Sequence, residues 1–152
     1  MKPMFLIAMK PTAVAFASLI LLAATAAQAH VKIRPAESKS GATETYTIVV
    51  PTEGKVATTS IELEAPSDVE IVSIESSPRE MRTSGDHTSI TWATLIAPGE
   101  HREFRIVAKN PATGGQIAWT AHQHFADGTV TDWIETPGPG ARRPGPLTKL
   151  VP

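Results

Sequence analysis

The feature that most constrains the fold of this chain is the alternation of apolar and polar residues along short segments. In residues 43–50, T-E-T-Y-T-I-V-V, the side chains of Tyr46, Ile48 and Val50 fall on one parity, which is typical of a half-buried strand. Similar segments lie at 58–65, 69–74, 88–95, 101–108, 115–125 and 129–135. No stretch keeps an apolar period of 3.6, and turn signals recur about every 8–15 residues. The pattern predicts an all-β, immunoglobulin-like or cupredoxin-like β-sandwich of one domain.

Turn chemistry and composition predict the last hairpin of the sandwich and the residue at which the sandwich ends. Asp127-Gly128 joins the last two alternating segments, and a dipeptide that tolerates positive φ closes a tight hairpin. From Pro137 onward, Pro and Gly fill eight of 16 positions, which disfavours both a strand and a helix. We therefore expect the sandwich over residues 30–136 and a disordered Pro/Gly-rich tail over 137–152.

The first 29 residues have the composition of a signal peptide. Lys2 and Lys10 precede an uncharged, largely apolar run over 12–27, and the small residues of Ala27-Gln28-Ala29 form a cleavage site. Cleavage after Ala29 would leave His30 as the first residue of an exported protein, in the periplasm or outside the cell. The remaining chain has no apolar run long enough for a membrane anchor.

Composition excludes several kinds of chemistry. The chain has no Cys, which rules out disulfides, zinc fingers, iron–sulfur clusters and thiolate-ligated copper. Three of the four Met residues lie before His30, so a Met-rich Cu(I) site is excluded as well. With 14 basic against 15 acidic residues the chain shows no electrostatic signature of nucleic-acid binding. No catalytic motif for nucleophilic, phosphate or metalloprotease chemistry is present, and we expect a protein that is not an enzyme.

His30 is the most unusual of the five histidines. As the first residue of the mature chain it offers the α-amine and the imidazole Nδ1, which together can close a chelate ring on one metal ion. Their reference pKa values, about 8 and about 6.5, make deprotonation by a metal inexpensive near neutral pH. The competing interpretation is that His30 follows the cleavage site by chance and binds no metal.

Other candidate residues are ambiguous in the sequence. His122 and His124 project from the same face of a predicted strand and either hold a divalent ion or are merely exposed. His87 and His101 flank turns and are interpreted as ordinary surface residues. Glu53 follows the strand that ends V-V-P, where it is either a ligand at the mouth of the sandwich or a solvated loop acid.

Several segments resemble the YcnI-like family of exported copper-binding proteins. They are H-V-K-I-R-P from His30, V-V-P-T-E ending at Glu53, T-T-S-I-E-L-E-A-P, and I-A-W-T-A-H-Q-H-F-A-D-G-T-V-T-D-W ending at Trp133. The resemblance covers the chain from His30 to about Glu135.

The resemblance implies a β-sandwich that holds one Cu(II) ion in a mono-histidine brace. The amine and imidazole of His30, the carboxylate of Glu53 and the adjacent Trp133 match the family's metal site. Three nearby acids could replace Glu53 through a small register error: Glu44, Glu62 and Glu64. The implied role is copper buffering, homeostasis or delivery, with the copper ion and another exported copper protein or transporter as partners.

Two other functions compete with this interpretation. One is a metal-free immunoglobulin-like module for adhesion or assembly, which would use its sheet edges to bind a partner. The other is a copper-dependent oxidative enzyme, which needs a second histidine at the copper, and His122 or His124 would have to supply it.

Overall fold

The computed structural model describes residues 30–76 and 79–152, and all regular structure within them is β-strand. The predicted signal peptide lies outside these residues. The strands are β1 (Lys32–Arg34), β2 (Glu37–Lys39), β3 (Thr43–Pro51), β4 (Thr58–Pro66), β5 (Glu70–Ile74), β6 (Arg79–Ser84), β7 (His87–Ile96), β8 (His101–Lys109), β9 (Gln116–Ala118), β10 (Thr120–Phe125), β11 (Val130–Trp133) and β12 (Leu147–Val151). In this part of the chain, no helix has the length and apolarity needed to span a bilayer.

The strands form two main sheets and a small third one. The first has the order β1-β3-β8-β5 and the second the order β11-β10-β4-β7-β6. The third sheet, β2-β12-β9, adjoins the second because Trp119 alone separates β9 from β10. The predicted all-β sandwich is therefore confirmed.

The core lies between the two main sheets and follows the alternation of the sequence. Tyr46, Ile48 and Val50 of β3 are all fully buried, as are Ile61 and Leu63 of β4. Every second side chain of a pleated strand points to the same face, so one parity of each strand fills the interior.

Aromatic pairs connect the two layers. Trp92 of β7 stacks on Phe104 of β8, and Tyr46 of β3 meets Trp119 edge-on, with 5.0 Å between ring centroids in each pair. Such pairs add about 0.5–1.5 kcal/mol each beyond the area they bury.

The predicted hairpin over Asp127-Gly128 is also confirmed. Gly128 has φ of 84°, and its N–H donates to the carbonyl oxygen of Phe125 at 3.0 Å.

Three strands without a clear apolar alternation were not predicted: β1, β2 and β6. β1 and β2 have three residues each, and every side chain of β6 is exposed, so no alternation marks them.

The expectation of a disordered tail over 137–152 is wrong for its last third. Leu147–Val151 forms β12, which pairs in parallel with β2 and antiparallel with β9, and Leu150 is buried. The Pro and Gly residues that motivated the prediction lie in 137–146, apart from Pro152, and no strand forms there. Leu147–Val151 contains neither Pro nor Gly, and its side chains alternate between buried and more exposed positions, so it can pair as a strand. The sandwich therefore extends beyond residue 136.

Gly145 should be a sensitive position in this returning segment. A Cβ at residue 145 would lie 2.8 Å from the carbonyl oxygen of Trp119 and 3.1 Å from that of Trp133. Because both neighbours are backbone atoms, we expect Gly145→Ala to lower the free energy of unfolding by about 1–3 kcal/mol. Urea denaturation would measure it, with Gly138→Ala as the control because a Cβ there meets nothing within 4 Å. Equal effects of the two substitutions would contradict this packing.

Candidate metal centre

Antiparallel pairing of β1 with β3 brings His30 to the groove that Glu53 lines. Lys32 pairs with Val49 and Arg34 with Thr47, so the same register continued outward places His30 opposite Pro51. Glu53 follows two residues later and is exposed. His30 and Glu53 line one groove at this end of the sandwich. Residues 23 positions apart in sequence are thereby brought to the same site.

The aromatic wall of the site comes from the other sheet. The imidazole of His30 meets the indole of Trp133 edge-on, with centroids 5.5 Å apart and planes inclined by 61°. Trp133 ends β11, the edge strand of the second sheet, whereas His30 precedes β1, the edge strand of the first. The site therefore lies where the edges of the two layers meet.

Gln123 holds the indole in place and was not predicted from the sequence. Its side-chain oxygen accepts a hydrogen bond from Trp133 Nε1 at 3.1 Å, and its amide donates to the Pro51 carbonyl at 2.9 Å. The same amide also donates to the Thr58 hydroxyl at 2.7 Å, which in turn bonds Thr52. Gln123 is 1% exposed, so this network joins Trp133 to the strand end that presents Glu53. The sequence did contain a signal for this role: Gln123 alternates in step with the apolar Trp119 and Ala121, so it is a polar residue at a position expected to be buried.

Three further side chains of the Glu and His types line the groove of His30 and Glu53: Glu100, His101 and Glu103, the last of which lies 2.6 Å from Arg34. Glu100 lies in the turn between β7 and β8, and His101 begins β8, where it pairs with Pro51. The sequence prediction treated His101 as an ordinary surface residue and did not consider Glu100. Both are exposed.

The three acids that could have been confused with Glu53 lie elsewhere. Glu44 accepts a hydrogen bond from the Ser38 hydroxyl at 2.8 Å, at the start of β3. Glu62 and Glu64 project from the outer face of β4, opposite in parity to the buried Ile61 and Leu63. None of the three lines the His30 groove.

His122 is paired with carboxylates rather than with His124. Its Nδ1 lies 2.6 Å from Asp132 Oδ1 and its Nε2 3.3 Å from Glu64 Oε1. His87 Nε2 is 3.8 Å from the same Glu64 oxygen. Burial lowers the pKa of His122, but its hydrogen bond to Asp132 and the charges of Glu64, Asp132 and Glu62 outweigh this effect, so the pKa is raised. The neighbouring carboxylates thus favour the protonated form of His122, on the outer face of the second sheet.

Side chains alone do not complete a metal site in the described residues. Among residues 30–76 and 79–152, no group of three or more His, Cys, Asp or Glu side chains is arranged to hold a metal ion. The groove of His30 nevertheless supplies imidazole nitrogen and carboxylate oxygen, the borderline and hard donors that suit Cu(II). A chain that began at His30 would add its α-amine as a further nitrogen donor beside the imidazole.

Comparison with known proteins identifies the family. Residues 30–150 match the model of a family described as a domain of unknown function, DUF1775. The chain belongs to this family. The chain is also similar to the copper-binding protein CutI of Bacillus subtilis strain 168, with 39% identity over 114 residues. The match covers 70% of this chain and 56% of CutI, so the chain spans little more than half of that relative. The YcnI-like resemblance read from the sequence is confirmed.

Solved structures confirm the fold of this DUF1775 domain. An uncharacterized protein from Nocardia farcinica with an immunoglobulin-like fold superposes with a TM-score of 0.67 at 24% identity, covering 81% of this chain and 99% of that one. A non-cellulosomal cohesin from Archaeoglobus fulgidus superposes with a TM-score of 0.50 at 12% identity, covering 81% and 91%. At these identities the likeness shows the immunoglobulin-like sandwich and nothing about function.

The environment of His122 predicts a pH-dependent contribution to stability. Because its folded pKa is raised, the stabilisation is complete below the unfolded value of about 6.5 and is lost as pH rises through the folded pKa. We expect wild type to exceed His122→Gln in melting temperature by more at pH 6 than at pH 8.5. Thermal unfolding at both values checks this.

The control for this measurement is His124→Gln, on the same face of β10. Among the residues the structure describes, His124 has no ion pair, so this substitution removes an imidazole without removing a carboxylate contact. A wild-type advantage over His122→Gln that is constant with pH, or larger at pH 8.5, would contradict the assignment.

Proposed function

We propose that the mature chain begins at His30 and binds one Cu(II) ion through a mono-histidine brace. The donors are the α-amine and imidazole of His30 and the carboxylate of Glu53, with Trp133 against the imidazole. Two observations carry the proposal: His30 and Glu53 line one groove, and the indole of Trp133 meets the imidazole of His30 with ring centroids 5.5 Å apart. The name of the relative CutI supports copper as the bound metal.

The donor set explains the choice of metal. Two nitrogens and one carboxylate oxygen favour Cu(II), which has the highest affinity in the divalent series for such ligands. Protons compete at both nitrogens of His30, so binding strengthens as pH rises toward the amine pKa of about 8. Trp133, held by Gln123, covers one side of the imidazole and limits access of water to it.

The two histidines expected to serve an oxidative copper enzyme lie outside this groove, although a different histidine, His101, lines it. An oxidative site was expected to take its second histidine from His122 or His124. Both side chains lie on the outer face of β10, and neither lines the His30 groove. His122 is instead engaged by Asp132 and Glu64. We propose that the protein is exported to the periplasm or beyond, where it buffers copper or delivers it to another exported copper protein or transporter.

The free amine of His30 is the first test of the brace. Protein with an authentic His30 terminus and protein carrying one extra Gly before it would be titrated with Cu(II). The extra residue acylates the amine and breaks the chelate, so we expect it to abolish tight binding. Competition against a chelator of known affinity measures the change, and equal affinities of the two proteins would contradict the brace.

The carboxylate is tested separately, on protein that begins at His30. We expect Glu53→Gln to weaken Cu(II) binding at least tenfold, because loss of even an outer partner of a metal ligand typically costs about 10–100-fold. The matched control is Glu100→Gln in the same groove, and Glu64→Gln on the outer face serves as a second. Electron paramagnetic resonance of the Cu(II) forms would show which variant alters the ligand set. A changed spectrum in Glu100→Gln with an unchanged one in Glu53→Gln would assign the carboxylate to Glu100.

A further inference from the structure

A second groove adjoins the candidate metal centre on the far side of Glu53 and Trp133. It has a volume of about 380 Å³, and Val56, Phe125 and Trp133 give it a mainly apolar floor. Glu53 and Pro51 line both this groove and the one that contains His30. A molecule seated in the second groove would therefore contact the residues that flank the proposed copper ion.

The rim of this groove is cationic. Lys55, Arg142 and Arg143 line it, and Glu53 is the one acidic residue among its lining side chains. Within the described residues, none of these three cations takes part in a salt bridge, whereas Arg34 and Arg82 each lie 2.6 Å from a glutamate. The chain from His30 onward carries twelve basic and fifteen acidic residues, so this is a basic patch on an acidic protein.

The two arginines are held by a fixed backbone. The carbonyl oxygen of Arg143 accepts hydrogen bonds from the N–H groups of Ile134 and Glu135 at 3.1 and 3.0 Å. The N–H of Arg142 donates to the Glu135 carboxylate at 2.9 Å, and Gly145 N–H donates to the Glu135 carbonyl at 2.8 Å. Their backbone is therefore already ordered, which lowers the entropic cost of using them to bind a partner.

We propose that this groove is the docking site for an acidic segment of a protein partner, one that carries an apolar side chain between carboxylates. The apolar side chain would lie on Phe125 and Trp133, and the carboxylates would face Lys55, Arg142 and Arg143. Charge complementarity of this kind selects and steers a partner. The inference rests on the proposed copper-binding function, because it gives a copper donor or acceptor a position next to the metal centre.

The test uses copper-free protein that begins at His30 and a synthetic probe. The probe is an acetylated and amidated hexapeptide, Asp-Glu-Phe-Leu-Asp-Glu, and its control replaces all four acids with Lys. Calorimetric titration at low salt gives each Kd. We expect the acidic peptide to bind, the basic peptide not to bind, and binding to weaken as salt rises.

Matched double variants locate the binding site. Arg142→Ser with Arg143→Ser should weaken binding of the acidic peptide by about tenfold, from the loss of two exposed charge pairs. Lys39→Ser with Lys109→Ser makes the same change in net charge at exposed positions outside the groove and should leave Kd unchanged. Hexanoate, a free apolar carboxylate, should bind far more weakly than the peptide.

Several results would overturn the docking site. They are absence of peptide binding at millimolar concentration, equal weakening by both double variants, binding of the basic peptide, and binding of hexanoate as tight as that of the peptide. Cu(II) affinity measured on the same samples keeps the two proposals separate. If the wild-type protein binds copper but no acidic peptide, the docking site alone fails; if it binds no copper, the proposed function fails.

Discussion

The pairing of β1 with β3 is the interaction on which the candidate metal centre depends. β1 has only three residues, yet its register with β3 fixes where the chain begins relative to the strand end at Pro51. A slip by one residue would turn every side chain of β1 to the opposite face, exposing Ile33, which is now buried. Burial of Ile33 therefore holds His30 in the groove that Glu53 lines, so the geometry of the candidate metal centre depends on packing in the core.

A buried network of hydrogen bonds around Gln123 fixes the position of the Trp133 indole. Gln123 occupies a core position of β10, where a polar side chain is costly unless every polar atom finds a partner. Its hydrogen bonds to Trp133, Thr58 and the Pro51 carbonyl meet that requirement. The same bonds tie the second sheet to the end of β3, so the residues on either side of the site cannot shift independently.

The end of the chain contributes more than its composition suggests. Residues 137–146 contain no strand, but they return to the sandwich, where Gly145 fits between the backbones of Trp119 and Trp133. β12 then completes the small third sheet. This path carries Arg142 and Arg143 to the groove beside Glu53, which gives an otherwise acidic protein a basic patch next to its proposed metal centre.

Much of this protein could be predicted from its sequence because the relevant signals are local. The period of two in β3, β4, β7 and β8 identified the strands and the buried side chains, and Asp127-Gly128 identified the hairpin. The absence of Cys and the position of His30 after a cleavage motif limited the proposed metal chemistry to nitrogen and oxygen donors. The resemblance to a copper-binding family then selected Glu53 and Trp133.

Only the tertiary structure decided which of these residues meet. In the sequence, Glu44, Glu62 and Glu64 could be confused with Glu53 through a small register error; in the structure none of the three lines the His30 groove, and two of them point outward from β4. The contact between His30 and Trp133 joins residues that lie 103 positions apart, on the edges of different sheets. The sequence also did not predict Gln123 and Glu100 at the candidate metal centre or the two arginines in the adjoining groove, because alternation determines which face a side chain occupies but not what lies across from it. Strand pairing and sheet packing supply that information, and they depend on the whole chain at once.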